Sequence, residues 1–279
     1  MAAETPNMPE LDLFGLTDTG KRRSNNEDQF LVARLAKSME PLFTSLSEDL
    51  RPTAQAAREA FLFVVADGVG GAVGGELASG KTVETLAEQI AATAGCFYST
   101  DPEAEDELIG KLEEAIRKAH ERVRSELEMD GSRPASTATM VTLLWPRGYI
   151  FHVGDSRGYY LRRGRLKQFT SDQTVGDFMV DAGILSEEQA RKGGLHDVLT
   201  HAIGGDEATP AVGVLDFEPG DVLMMCSDGL TKHVADDDIR AVLEDASSAE
   251  EACRDLLEAA LEGGGSDNIT VIVARMGDV

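Results

Sequence analysis

Three short, unbroken apolar runs constrain this chain more than anything else in it: FLFVVA at 61–66, TMVTLL at 139–144 and VLMMC at 222–226. Each is bounded by turn residues and is short for a buried helix, the pattern of a strand covered on both faces. A sheet built from such strands needs a layer on either side. Strands are therefore expected at 11–17, 29–35, 61–66, 137–144, 149–153, 158–161, 222–226 and 269–274. The covering layers are legible too. Residues 74–92 place Leu77, Ala78, Val83, Leu86, Ala87 and Ile90 at mostly helical spacing. Residues 103–129 do the same with Leu108, Leu112, Ile116, Ala119, Val123 and Leu127. A third helix, 248–261, carries Ala252, Leu256, Leu257 and Ala260 ahead of the stop signal Gly263, Gly264, Gly265. Strands and helices cluster instead of alternating, which argues for an α+β layered domain over a doubly wound parallel sheet. Two stretches read as irregular, 36–60 and 170–210, the second with helical patches at 175–182 and 186–192 that suggest a mobile subdomain.

Charge narrows the function classes. The chain has 279 residues and a net charge of −24, so neither nucleic acid nor an anionic membrane surface is an expected partner. No apolar stretch approaches the roughly 20 residues that cross a bilayer. The first ten residues contain Glu4 and Glu10 and no apolar run, so they read as a flexible N-terminus and not as a leader. Three cysteines, Cys96, Cys226 and Cys253, show no CxxC spacing and read as reduced core thiols in a cytoplasmic protein.

The chemistry is written at the ends of the apolar runs. Asp67 follows FLFVVA, Asp228 follows VLMMCS, and Asp267 in GGGSDN precedes ITVIVA. A carboxylate there is partly desolvated and needs a compensating cation or donor. No basic residue adjoins any of the three, and carboxylates are the hard ligands that Mg²⁺ or Mn²⁺ prefer. Singly, each aspartate could simply make a turn. Three in matching contexts, with Glu27 and Asp28 as a further acidic pair, point to metal binding. The glycines of DGVGGAVGGE let backbone approach a metal or phosphate, without the ending of a Walker loop. Lys21, Arg22 and Arg23 lie just ahead of the acidic pair, where a guanidinium could hold a phosphate bidentately. A catalytically silent phosphoprotein-binding cleft and a structural Ca²⁺ site are the rival readings.

In order and spacing, the series RSNNED, VVADGVGG, ASTATM, VGDSRGYYLRRGRLKQFT, CSDGL and SDNITVIV resembles the metal-dependent protein phosphatases, the PPM or protein phosphatase 2C family, of bacterial single-domain type. The resemblance runs from about Gly15 to Arg275. It implies an α+β, four-layer αββα sandwich of two mainly antiparallel sheets flanked by helix pairs, occupying 11–279. It implies hydrolysis of phosphoserine and phosphothreonine in proteins by a metal-bridged water or hydroxide, with no covalent phosphoenzyme. Asp67 matches the bridging aspartate, the Gly68 carbonyl a backbone ligand, and Asp228 and Asp267 the ligands that complete the other metal. Two Mg²⁺ or Mn²⁺ ions are expected, with Asp130 the candidate for a third site. Glu27, Asp28 and Asp155 match supporting carboxylates, and Arg23 the phosphate-binding arginine. Val69 stands where many eukaryotic members have a histidine proposed as general acid, and Gln173 and Thr174 replace a usual His-Ser. By the same analogy 170–210 is a flap, a monomer is expected, and the partner is a Ser/Thr kinase or its targets. Asp172, Asp177 and Asp181 in the flap should repel acidic peptides.

Overall fold

The computed structural model describes residues 8–35, 59–70, 74–93, 102–127 and 133–277. Strands β1 (Leu11–Asp18), β2 (Gln29–Leu35), β3 (Ala60–Ala66) and the two-residue β4 (Gly68–Val69) precede two long helices, α1 (Gly74–Thr93) and α2 (Pro102–Glu126). A run of strands follows: β5 (Ala135–Ser136), β6 (Ala138–Leu144), β7 (Arg147–Val153), β8 (Arg157–Arg162) and β9 (Arg165–Gln168). Short helices α3 (Val175–Asp181) and α4 (Glu187–Lys192) occupy the middle segment. The chain closes with β10 (Ala211–Asp216), β11 (Val222–Cys226), α5 (Asp228–Thr231), α6 (Asp236–Asp245), α7 (Ala249–Glu262) and β12 (Ile269–Met276).

The strands form two five-stranded sheets, ordered β1-β12-β11-β8-β9 and β10-β7-β6-β3-β2, plus the small β4-β5 pair. Their pairings are antiparallel. The two-residue side-chain period of a strand sorts each apolar run into two cores. From β3, Phe61, Phe63 and Val65 join Leu223, Met225, Ile272 and Ala274 between the sheets. Its alternate residues Leu62 and Val64 face outward, onto Leu86, Ile90, Leu112 and Ile116 of α1 and α2. Across the molecule Val271 and Val273 of β12 pack on Ile239, Leu243, Cys253 and Leu256 of α6 and α7. Each fully buried Val, Leu, Ile, Phe or Met among them contributes about 1.5–3 kcal/mol. The result is the expected four-layer αββα sandwich, with Cys226 and Cys253 as buried free thiols.

Besides the short β4, β5 and α5, three elements escaped the sequence pattern. Strand β10 is largely exposed, and β9 is the polar RLKQ at a sheet edge, so neither shows a continuous apolar run. Helix α6 begins with Asp236, Asp237 and Asp238, which suit a helix N-terminus, but buries only Ile239 and Leu243. Most of the irregular 36–60 stretch, along with Cys96 and residues 1–7, lies outside the described residues. At the other side of the N-terminal expectation, Met8 packs against the inter-sheet core, and Glu10 accepts the Gly277 amide at 2.8 Å. No helix among the described residues is long and apolar enough to cross a membrane.

Antiparallel pairing brings distant strand ends together. Gln29 opposes Ala66, so the acids before β2 lie beside the one after β3. Cys226 opposes Val271, so the end of β11 lies beside the start of β12. One buried residue nearby makes a stability prediction. His152 of β7 is 1% exposed, lies 2.9 Å from the Thr139 hydroxyl and 3.1 Å from the Ser171 carbonyl, and burial pushes its pKa down to about 4. A neutral ring is therefore required for folding: its contribution is present above the unfolded value near 6.5 and is lost as pH falls through the folded one. Urea unfolding should show the wild type losing on the order of 2–3 kcal/mol more than His152→Asn between pH 6.5 and 4. Parallel pH profiles would refute this.

Candidate active site

Asp67 leaves β3 with its backbone clamped: its N–H donates to Thr137 Oγ1 at 2.9 Å, and its carbonyl accepts the Thr137 amide at 2.8 Å. Thr137 Oγ1 is itself 2.8 Å from Ser156 Oγ, so the Asp67 backbone rests on a buried hydroxyl pair. The side chain enters the cavity half-buried, and desolvation together with Asp28 and Asp228 pushes its pKa well up. Gly68 follows, and only glycine fits: a Cβ there would lie 2.2 Å from the Gly75 carbonyl oxygen.

Asp228 begins α5, directly after β11, and Asp267 precedes β12. A Cβ on Gly229 would stand 1.9 Å from the Asn268 carbonyl oxygen, so glycine is what lets these two loops close on each other. Lys232, one helical turn after Asp228, bridges the acids: its Nζ is 2.6 Å from Asp228 Oδ2 and 2.9 Å from Asp267 Oδ2. Arg23 grips the other edge of Asp267, Nε to Oδ1 at 2.7 Å and Nη2 to Oδ2 at 2.9 Å. These cations hold the Asp267 carboxyl below its usual range despite partial burial, whereas burial raises Asp228.

The acidic pair before β2 splits its duties. Asp28 is buried, accepts from Ser227 and Thr270 hydroxyls at 2.7 Å each, and is raised by burial to about 6. It ties the end of β11 to the start of β12 and does not line the cavity. Glu27 is pinned through its backbone, its N–H to Asn268 Oδ1 at 2.8 Å and its carbonyl to Ser79 Oγ at 2.5 Å. Asp155, after β7, is raised by burial and by Asp228 to about 8.

Glu27, Asp67, Asp155, Asp228 and Asp267 line one cavity of about 580 Å³, together with Arg23, Gly68, Val69 and Lys232. Three acids separated by up to 240 residues in sequence order, at 27, 67 and 267, thus share one pocket. The donor set is hard oxygen, suited to Mg²⁺ or Mn²⁺. Of the acids lining the cavity, Glu27 Oε1 and Asp228 Oδ1 are buried with no hydrogen-bond partner, a costly arrangement that a cation relieves. The residues therefore fit a divalent centre. As the side chains stand, no three His, Cys, Asp or Glu groups among the described residues converge closely enough to grip an ion. The Lys232 ammonium sits between two of the acids instead.

Lys232 was missed by reading only immediate neighbours of the aspartates. The signal was Asp228 to Lys232 at i,i+4, a helical pair once α5 is recognised. Asp197, Val198, Leu199 and Ala202 of the middle segment also line the cavity, so 170–210 closes one of its walls. Gln173 has a structural task there: its side-chain oxygen accepts the Gly154 amide at 2.8 Å, beside Asp155. Thr174 caps α3 by accepting the Asp177 amide. Asp172 is no free repelling charge, being paired with Arg157 at 2.6 Å. Asp130 lies outside the described residues.

Comparison with known proteins gives the family and supports the fold. The profile of the protein phosphatase 2C family matches residues 46–263. The serine/threonine protein phosphatase PstP of Mycobacterium tuberculosis is 35% identical over 219 residues, 78% of this chain and 40% of PstP, so the chain spans well under half of that relative. Among solved structures, the S. agalactiae serine/threonine phosphatase superposes with TM-score 0.78 at 29% identity, covering 96% of this chain and all (100%) of that one. The catalytic domain of PstP in complex with two manganese ions gives TM-score 0.73 at 31% identity, covering 96% of this chain and 99% of that domain. At 96% of this chain, these likenesses extend beyond the residues of the family match. With the profile matching most of the chain and the sandwich and cavity in place, this chain belongs to the protein phosphatase 2C family.

Proposed function

We propose that this protein is a metal-dependent serine/threonine protein phosphatase, acting as a monomer on phosphoserine and phosphothreonine side chains. The observation that carries the reading is the meeting of Asp67, Asp228 and Asp267 in one cavity beside Arg23. Two Mg²⁺ or Mn²⁺ ions would be held by Asp67, the Gly68 carbonyl, Asp228 and Asp267, as the two-manganese PstP domain supports by likeness. Bound there, the ions would acidify a water for attack at phosphorus and offset charge on the phosphoryl group, so that no phosphoenzyme is required.

The chain's own residues do the rest. Arg23, at the cavity rim and half exposed, supplies a guanidinium for the phosphate oxygens. Glu27 and Asp155 add negative charge that orients water, and the segment 170–210 acts as a flap limiting solvent access. No cysteine, histidine, serine or threonine is among the described residues lining the cavity, which supports direct attack by water. Val69 lines it too and has no proton to give, so the leaving oxygen takes its proton from another group or from water. A Ser/Thr kinase, or the targets of one, would supply the substrates.

The direct test is phosphate release from a phosphothreonine peptide by purified protein in Mn²⁺, and abolition by chelation. Retention of an intact phosphopeptide in the cleft would instead make it a binding module. A second expectation follows from the charge of −24. At low salt, kcat/KM for phosphopeptides with basic flanks should exceed that for acidic flanks by about tenfold, and the gap should shrink at high salt. Equal rates at low salt would contradict electrostatic steering.

A further inference from the structure

The two sides of the acidic cavity are not equivalent. Among the described residues no basic side chain forms an ion pair with Asp67, whereas Asp228 and Asp267 are spanned by Lys232. The ammonium makes contacts of 2.6 and 2.9 Å to one oxygen of each acid, and the Lys232 side chain is only 34% exposed. Its position is fixed by the fold: it lies one turn beyond Asp228, on the short helix that Gly229 allows to close against Asn268. Asp228 Oδ1, the oxygen Lys232 does not use, is left buried and unpartnered.

We propose that Lys232 is a resident counter-cation that holds the seat between Asp228 and Asp267, so that a divalent ion binds there only by displacing the ammonium. This inference rests on the metal-centre reading above. An ammonium and a divalent ion cannot share the same two carboxylate oxygens at contact distance without strong repulsion. The four-carbon stem of lysine lets the group swing toward the cavity mouth, which a shorter or more rigid cation would not do. Two consequences follow. Ion binding becomes stepwise, with the Asp67 side filled first and the Asp228–Asp267 side weaker. In the metal-free protein Lys232, with Arg23 on Asp267, also offsets the charge of two crowded acids, which stabilises the fold before any ion arrives.

The test is Mn²⁺ titration of the metal-stripped full chain, with free Mn²⁺ read from its paramagnetic resonance signal. The wild type is expected to show a tight and a weak class of site. Lys232→Met should tighten the weak class by about tenfold or more and leave the tight class within about threefold, while Lys232→Arg, which keeps a cation, should not tighten it. Thermal melting in EDTA should be lower for Lys232→Met than for wild type. Lys232→Gln serves as a second neutral variant should the Met variant fold poorly. A weak class that is unchanged or weakened in both neutral variants, with wild type binding two ions, overturns the proposal alone. Wild type binding no Mn²⁺ overturns the metal-centre reading and the proposal with it.

Discussion

Asp67→Asn should lower Mn²⁺-dependent hydrolysis of p-nitrophenyl phosphate by about a thousandfold or more, roughly 4 kcal/mol of barrier, while the variant remains folded. The substitution is nearly isosteric and keeps both backbone hydrogen bonds to Thr137, so β3 and its exit turn are held as before. What would disappear is the carboxylate proposed above to help hold the ions. Because Asp67 stands partly desolvated among other acids, its removal also relieves like-charge repulsion and desolvation. In EDTA the variant should therefore melt at or above the wild-type temperature. Lost turnover with an undiminished metal-free melting temperature separates a catalytic role from a structural one. Wild-type turnover in the variant, at saturating Mn²⁺, would remove Asp67 from the mechanism.

The parts of this molecule that were legible in the sequence are those governed by desolvation. Runs such as FLFVVA must be covered on both faces, so layers on either side of each sheet followed from them, and β2 and β11 lie where the pattern placed them. Aspartates at the ends of such runs need a compensating cation or donor, which is why Asp67, Asp228 and Asp267 stood out as a set, and they share a cavity in the structure. What was not legible is whatever depends on pairing across the fold. Asp28 was read as a supporting carboxylate, but the groups it supports were not in the pattern: the antiparallel register sets it behind the cavity between Ser227 and Thr270. Asp172 resembled a free charge, yet a β8 arginine, Arg157, neutralises it. Arg23 was read as a phosphate clamp, and its guanidinium does stand at the cavity, but it is engaged by Asp267. No local pattern contains that partner, 244 residues away.

Adding Mn²⁺ to the metal-free protein should raise its melting temperature by about 5–10 °C, the second large effect expected of this cavity. Six acids, Glu27, Asp67, Asp155, Asp197, Asp228 and Asp267, line it against the two cations Arg23 and Lys232. Several of these carboxyls are held away from water, where their mutual repulsion is poorly screened. An ion that binds the native cavity and not the unfolded chain stabilises by about 2.7 kcal/mol at a hundred times its dissociation constant. For a domain of this size each kcal/mol is worth roughly 2–4 °C. The shift should reverse with EDTA and be smaller in Asp67→Asn, which offers a poorer seat. NaCl at matched ionic strength should reproduce little of it, because screening by a monovalent salt acts at the surface more than in a buried cavity. If Mn²⁺ and NaCl produced equal shifts, the acids would be no more than a crowded surface, and the case for a divalent centre at the end of the sandwich would fail.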